Sequence, residues 1–351
     1  MRRLYKTLQG EIFAIPGRTI AVVFFLFLCF LPLMTTQPFI LRIATFASIY
    51  AIFAASWDLL YGYTGQMNLG HALFFGISAY TSALLNHHFG LPPWITVPIG
   101  ALVAVLMGSI VAIPAMRLRG IFLALATLAF PIVMTGIVFV FPDLTGGELG
   151  ISGIAPLARS RVATYYITLF VMLVSIGIMW KMTDVKSKKI RLGIILLAIR
   201  EDEVTARASG INTIRYKLLA FCLSGFFAGI AGGLYVHVMK IAGPSTLELM
   251  TSINPIVWTV FGGIGTIYGP VTGVYILFPL VEFLRVVQEI RTLLFALLVI
   301  AILLLMPEGI GVWIRDKAEC KCPRCKLVNF ATRQICRACG AQLHLAKKSQ
   351  H

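Results

Sequence analysis

Apolar residues in this chain run on over stretches of membrane-spanning length, and such stretches recur almost to its end. The first, 18–36, follows a short basic segment with Arg2, Arg3 and Lys6. It is too long for the apolar region of a signal peptide, and the TTQPF behind it offers no small-x-small cleavage site, so it is expected to remain as a first helix. Further spans are expected at 42–61, 67–86, 94–116, 120–142, 163–182, 216–239, 253–265, 270–286 and 290–306. The pattern predicts an all-α polytopic membrane protein of about 10 transmembrane or half-membrane helices.

Composition narrows the choice further. Hydrophobic residues fill 58% of the 351 positions and charged ones 13%, where soluble domains hold roughly 45–50% and about 25%. An ordinary soluble globule, a disordered chain and nucleic-acid binding by the whole chain are excluded. The 30 basic residues outnumber the 14 acidic ones, and in a membrane protein such an excess marks cytoplasmic loops. Counting crossings from a cytoplasmic N-terminus puts Arg117 and Arg119 inside, and with them the loop bearing Lys186, Lys188, Lys189, Arg191, Arg200, Arg207 and Arg215. Asp143, Glu148 and Glu248 fall outside; Arg42, Arg159, Arg161, Arg285 and Arg291 lie at or near that face against the trend. An even number of spans returns the C-terminus to the cytoplasm.

Two glycine-rich breaks interrupt the apolar runs, one at 62–70 and one at 262–270. Irregular backbone survives in a membrane only within protein or beside a wet cavity, so paired breaks point to discontinuous helices around a transport route. Gly62, Thr64, Gly65, Gln66, Asn68, Gly262, Gly263, Gly265 and Thr266 are the candidate route residues. The competing reading makes the breaks tight turns and close helix contacts, with the polar side chains serving backbone that the glycines release. Asp58 and His71 are expected near span ends as interfacial caps.

Residues 197–212 form a helix-like stretch between two apolar spans, with Val204, Ala208 and Ile211 on one face and Glu203 one turn before Arg207. Gly210 is a plausible stop. So short a helix is marginal in water unless something receives its apolar stripe, either a partner protein or the lipid surface.

In these blocks the chain resembles the permease subunits of ATP-binding-cassette importers for branched-chain amino acids, in their LivM-like branch. The resemblance rests on Trp57-Asp58-Leu59-Leu60-Tyr61-Gly62-Tyr63-Thr64-Gly65-Gln66 running on through Asn68-Leu69-Gly70-His71-Ala72, on Thr145-Gly146-Gly147, on Ala198-Ile199-Arg200-Glu201-Asp202-Glu203, on Gly210-Ile211-Asn212, and on Gly262-Gly263-Ile264-Gly265-Thr266 with Gly269-Pro270. It implies that Arg200, Glu201, Asp202, Glu203, Arg207 and Gly210 belong to a coupling helix that docks into a cytoplasmic ATPase. It implies alternating access driven by two ATPase chains, with a second permease, an extracytoplasmic solute-binding protein, membrane lipid and a small-molecule solute as partners, in a prokaryotic plasma membrane. ATP would then bind only on the partner subunits, and this chain carries no GxxxxGK motif for phosphate. No nucleic acid is expected as a partner. Urea or short amides are an alternative cargo. An ion-coupled secondary transporter is the rival class, which would need ionisable residues in mid-span, where acids are scarce.

The C-terminus departs from that family. Cys322, Cys325, Cys336 and Cys339 form two CxxC knuckles, a spacing that brings four thiolates around one ion; an all-sulfur tetrahedron suits zinc, with iron as the alternative. Cys320 is a spare neighbour able to replace Cys322, while Cys29 and Cys222 lie in spans and are expected to pack. The expected organisation is a cytoplasmic segment 1–17, a permease domain 18–306 with its cytoplasmic loop at 183–215, a linker 307–319, a zinc ribbon 320–344 and a tail 345–351.

Overall fold

The computed structural model describes residues 16–35, 37–115, 118, 120–184 and 191–284. Beyond these it describes 297, 300, 309–310, 313, 317, 319–322, 324–325, 328–330, 334–336 and 339–343. The described residues fall into two compact units, Gln37–Gly309 and a second drawn from the stretches on either side of it.

In the large unit the helices are α2 (Pro38–Thr64), α3 (Ala72–Phe89), α4 (Pro93–Ala115), α5 (Ile121–Val140), the single turn α6 (Pro142–Thr145), α7 (Arg161–Thr183), α8 (Leu192–Glu201), α9 (Glu203–Ala208), α10 (Thr213–Met239), α11 (Leu249–Gly262) and α12 (Tyr268–Phe283). The second unit holds α1 (Pro16–Met34). Among the described residues, α2, α4, α5, α7 and α10 are long and apolar enough to cross a membrane. The expected spans at 18–36, 42–61, 67–86, 94–116, 120–142, 163–182, 216–239 and 270–286 each correspond to one of these helices; the span expected at 290–306 lies outside the described residues except for 297 and 300.

Helices α2 and α10 are apolar on every side because they stand inside the bundle, walled by α3, α4, α7 and α12. Small residues let their neighbours approach. A Cβ on Gly232 of α10 would strike the backbone of Phe75, and one on Gly229 would come 2.7 Å from Ala101 Cα. Without a hydrophobic force between helices in lipid, such backbone contact supplies the dispersion that holds them together.

Three expectations are corrected. The first break does not begin at Gly62, because α2 runs on to Thr64 and stops at Gly65, whose φ of 71° places it in the left-handed region open to glycine. The short segment expected at 253–265 begins four residues earlier, as the 14-residue α11, about 21 Å long and too short for a hydrocarbon core of about 30 Å. It is a half-helix, reached from α10 through β2 (Ile241–Ala242) and a 3₁₀ turn, Pro244–Leu247, that packs on α3 at Gly76. The helix-like stretch at 197–212 is two helices, for Asp202 is extended (φ −154°) between α8 and α9, and α8 buries Gly193, Leu196 and Ile199 against the bundle.

At the end of the bundle that carries Phe89, Val140 and Met239, β2 pairs antiparallel with β1 (Ile151–Ser152). Nearby, His237 Nδ1 donates to Ala155 O (2.8 Å) and its Nε2 accepts from the Thr96 hydroxyl (2.7 Å). Ala155 N donates to Asn86 Oδ1 (2.8 Å), so the loop before α7 is stapled to α3 and α10.

The second unit includes β3 (Glu319–Lys321), paired antiparallel with β4 (Val328–Phe330), and an isolated bridge between Ile335 and Gln342. Cys322, Cys336 and Leu343 form its small buried cluster.

Candidate functional site

Both breaks, the loop between α11 and α12, and the end of α8 meet at one end of the large unit. Asp58, two turns before the end of α2, is fully buried, and a buried carboxylate survives only if its oxygens are satisfied. Oδ1 accepts from Gly265 N (2.6 Å); Oδ2 accepts from Thr266 N (3.1 Å) and Ile267 N (3.0 Å). Three successive N–H groups thus form a nest around an anion supplied by the protein itself. Gly62, one turn after Asp58, has no room for a side chain, since its Cβ would lie 2.8 Å from Gly265 Cα and N.

Arg200, in the last turn of α8, donates from Nη1 to Gly62 O. That carbonyl belongs to the last turn of α2, whose terminal carbonyls lack helical partners, and the guanidinium supplies one.

Just beyond Arg200 the chain turns into α9. Asp202 Oδ1 accepts from Val204 N (2.8 Å) and Thr205 N (3.2 Å), and Oδ2 accepts from the Thr205 hydroxyl (2.5 Å). This is an N-cap. The Thr205 hydroxyl, then the Thr205 and Val204 backbone N–H groups, hold the Asp202 carboxyl below the usual carboxylate range. A carboxyl lowered in the folded state stabilises it above the ordinary Asp range, and that contribution is lost as pH falls through the lowered value. Amide protection at Val204 and Thr205 is therefore expected to hold through the ordinary Asp titration range and to fail only in stronger acid. In Asp202→Ala it should be absent at every pH; protection that tracks the ordinary range would disprove the cap.

Glu203 is tied inward, to Lys217 Nζ (2.7 Å), Arg207 (3.0 Å) and Thr213 Oγ1 (3.3 Å), closing α9 onto the start of α10. Gly210, at φ 84°, lets the chain reverse, and Ile211 N returns to Ala206 O (3.1 Å). The tip of this hairpin leaves Val204 67% exposed, with Glu201 and Ala208 also exposed.

The polar candidates at the breaks serve local backbone. Thr64 donates to Leu60 O (2.6 Å), Asn68 Oδ1 accepts from Gly70 N (2.8 Å), Trp57 Nε1 donates to Asn68 O (2.8 Å), and Thr266 Oγ1 bridges Gly263 O and Gly269 N. Gln66 is buried beside Thr64, and the Cβ position of Gly65 lies 3.6 Å from Arg200 Cγ. A Cβ on Gly262 would strike Gly269 at the start of α12, and one on Gly309 would come 2.6 Å from Gly263 N. Asp58 and His71 are not interfacial caps, because both are fully buried. His71 stacks on Phe53 at 4.8 Å and donates from Nε2 to Ser56, whose own proton goes to Phe53 O.

A small cavity of about 30 Å³, space for a water or two, lies between α2, α10, the 3₁₀ turn and α11. Tyr50, Phe53, Tyr235, Thr246, Asn254 and Trp258 are among the residues around it. The sequence pointer was the run Ser245, Thr246, Thr251, Asn254 following Gly243-Pro244, polar groups just where a span begins too late to cross.

In the second unit the four sulfurs of Cys322, Cys325, Cys336 and Cys339 lie within 4.8 Å of one another. Two of the pairs, Cys322–Cys339 and Cys325–Cys336, stand at 3.5 Å, close to the roughly 3.8 Å edge of a tetrahedron with metal–sulfur bonds of about 2.3 Å. The backbone N–H of Cys325 leads the effects that draw the Cys322 thiol below its usual range, toward the thiolate a metal requires. The group can hold a metal ion.

A multi-pass helical membrane unit with a half-helix, paired breaks and a capped hairpin at one end is the architecture of a membrane permease. Residues 39–307 match the profile of the branched-chain amino acid transport system / permease component family, and the chain belongs to it. It is the permease component, the non-catalytic membrane subunit of such a system. It is 29% identical to the high-affinity branched-chain amino acid transport system permease protein LivM of Escherichia coli K12, over 90% of this chain and 82% of that one. It is 25% identical to a probable branched-chain amino acid transport permease protein LivH of Methanocaldococcus jannaschii, over 66% and 76%, and 30% identical to the galactose/methyl galactoside import permease protein MglC of Salmonella typhimurium, over 57% and 65%. No solved structure matches the chain.

Proposed function

We propose that this chain translocates branched-chain or other hydrophobic amino acids into a prokaryotic cell by alternating access, driven by ATP hydrolysis on separate subunits. The observation that carries this reading is the α8–α9 hairpin: a capped projection, tied by Glu203 to Lys217, that exposes Val204 at the end of the bundle where both breaks meet. Two ATPase chains would receive two such hairpins, one from this chain and one from a second permease subunit. A solute-binding protein would deliver the amino acid at the opposite end, where β1 and β2 pair. The cavity among Tyr50, Tyr235 and Trp258 is far smaller than an amino acid, as expected of a route shut between strokes.

The orientation follows from charge. The hairpin end carries Arg200, Arg207, Arg215 and Lys217, which favours the cytoplasm for that end of the large unit. Vesicles holding the permease pair, ATPase chains and binding protein should accumulate leucine only with internal ATP and every subunit present. Uptake driven by an ion gradient without the ATPase chains would sink this reading.

For the cysteine group we propose zinc in residues 320–344. The four thiolates would hold it tetrahedrally with no open position, so that it supplies folding energy rather than chemistry. Metal analysis of the purified chain should give one zinc per chain, with Cys322→Ser and Cys336→Ser each lowering it at least five-fold. Iron in its place, or no bound metal, would refute the assignment.

A further inference from the structure

We propose that Asp58 and Arg200 are positioning residues that together deliver movement of the α8–α9 hairpin to the half-helix α11. The proposal rests on the functional reading above and names the contacts through which the stroke would pass.

Arg200 sits beside the hairpin's exposed tip, where a side chain reserved for a docked partner would project outward. Its guanidinium instead turns back to Gly62 O in the last turn of α2. One helical turn earlier, Asp58 holds the N–H groups of Gly265, Thr266 and Ile267, three of the five residues that link α11 to α12. The two grips lie four residues, about one turn, apart on one helix. Between them, a Cβ on Gly62 would come within 2.8 Å of Gly265, so the junction has no slack. A displacement of α8 at Arg200 must pull on the end of α2, and α2 carries the α11–α12 link with it.

The link itself is held in an unfavourable backbone conformation. Ile267 is β-branched and fully buried, yet its φ is 52°, in a region such residues rarely enter. Backbone of this kind persists only where its surroundings over-determine it, and here the Asp58 carboxylate does so through Ile267 N. Releasing the nest would let the link relax, while the nest intact holds α11 in place. From that link α11 runs as a rod of 14 residues, and Thr251, Asn254 and Trp258 along it border the cavity. Contact between breaks and hairpin would thus set whether the cavity is closed.

The test uses the full complex in vesicles and the substitution Arg200→Ala. The amount of leucine moved per ATP hydrolysed is expected to fall at least five-fold, and Arg200→Lys, which keeps one donor for Gly62 O, should restore part of it. In the wild-type complex, hydrogen exchange of amides 265–267 should differ between the nucleotide-free and vanadate-trapped states, and in Arg200→Ala that difference should vanish. An unchanged leucine-to-ATP ratio would overturn the proposal, as would equal protection of 265–267 in both wild-type states, which is the behaviour of a purely structural cap. Loss of ATPase co-purification in Arg200→Ala would also overturn it, by making Arg200 a docking residue. If the wild-type complex shows no ATP-dependent uptake, the functional reading itself falls, a result separable from all of these.

Discussion

Asp58→Ala is expected to abolish a correctly assembled permease, with membrane levels of folded protein falling more than ten-fold. The substitution removes no apolar packing of consequence. It strands the N–H groups of Gly265, Thr266 and Ile267 at a site where the carboxylate is fully buried. Each stranded buried donor costs about 1–3 kcal/mol, so the three together cost on the order of 3–9 kcal/mol, comparable with the whole stability of a typical domain. Ile267, held at φ 52°, loses its restraint at the same time. Asp58→Asn keeps one acceptor oxygen but turns an amide NH₂ toward donors, and should give an intermediate level. Detergent extraction with thermal unfolding of both variants is the check. An Asp58→Ala protein that unfolds within a few degrees of wild type would mean the N–H groups find other partners.

Asp58 also marks the limit of what the sequence made legible. Apolar run length located the expected spans that the structure describes, because a helix in lipid must satisfy its own backbone and leaves that demand in composition. It misplaced the end of α2 and the start of α11, since hydropathy records where a segment is apolar and not where its helix begins or stops. The cysteine group was plain because all four residues are local to one short stretch. The nest around Asp58 was not, because its partners lie 207 to 209 residues away and are backbone groups, which carry no residue-specific signature. A charged residue amid Ala55, Ser56, Trp57 and Leu59 was the available signal. Its burial supplies a buried ionisable group of the kind the rival ion-coupled class requires, yet three N–H bonds engage both its oxygens near the end of α2, which makes it an anchor for backbone.

Val204→Asp is expected to reduce ATP-driven leucine uptake more than ten-fold while the protein inserts and folds normally. The same hairpin was expected to act through Glu201, Glu203 and Arg207, and these three now separate. Glu203 is held by Lys217, Arg207 and Thr213, so Glu203→Ala acts by loosening α9 from α10. Glu201 is exposed and makes no hydrogen bond among the described residues, which suits a charge offered to a partner. Val204 is the apolar tip, 67% exposed, and a six-residue helix persists there because Asp202 caps it and Glu203 braces it. Placing a carboxylate at that tip leaves cap and brace intact and costs nothing while the tip stays in water. It becomes costly only when the tip enters a closed groove, where the charge is desolvated without a partner. The effect should accordingly appear in the assembled complex, as lost co-purification of the ATPase chains, and be absent from the thermal stability of the isolated permease. Full uptake by Val204→Asp would move the docking surface away from this hairpin, whereas a stability loss in the isolated chain would mean the tip packs within its own subunit.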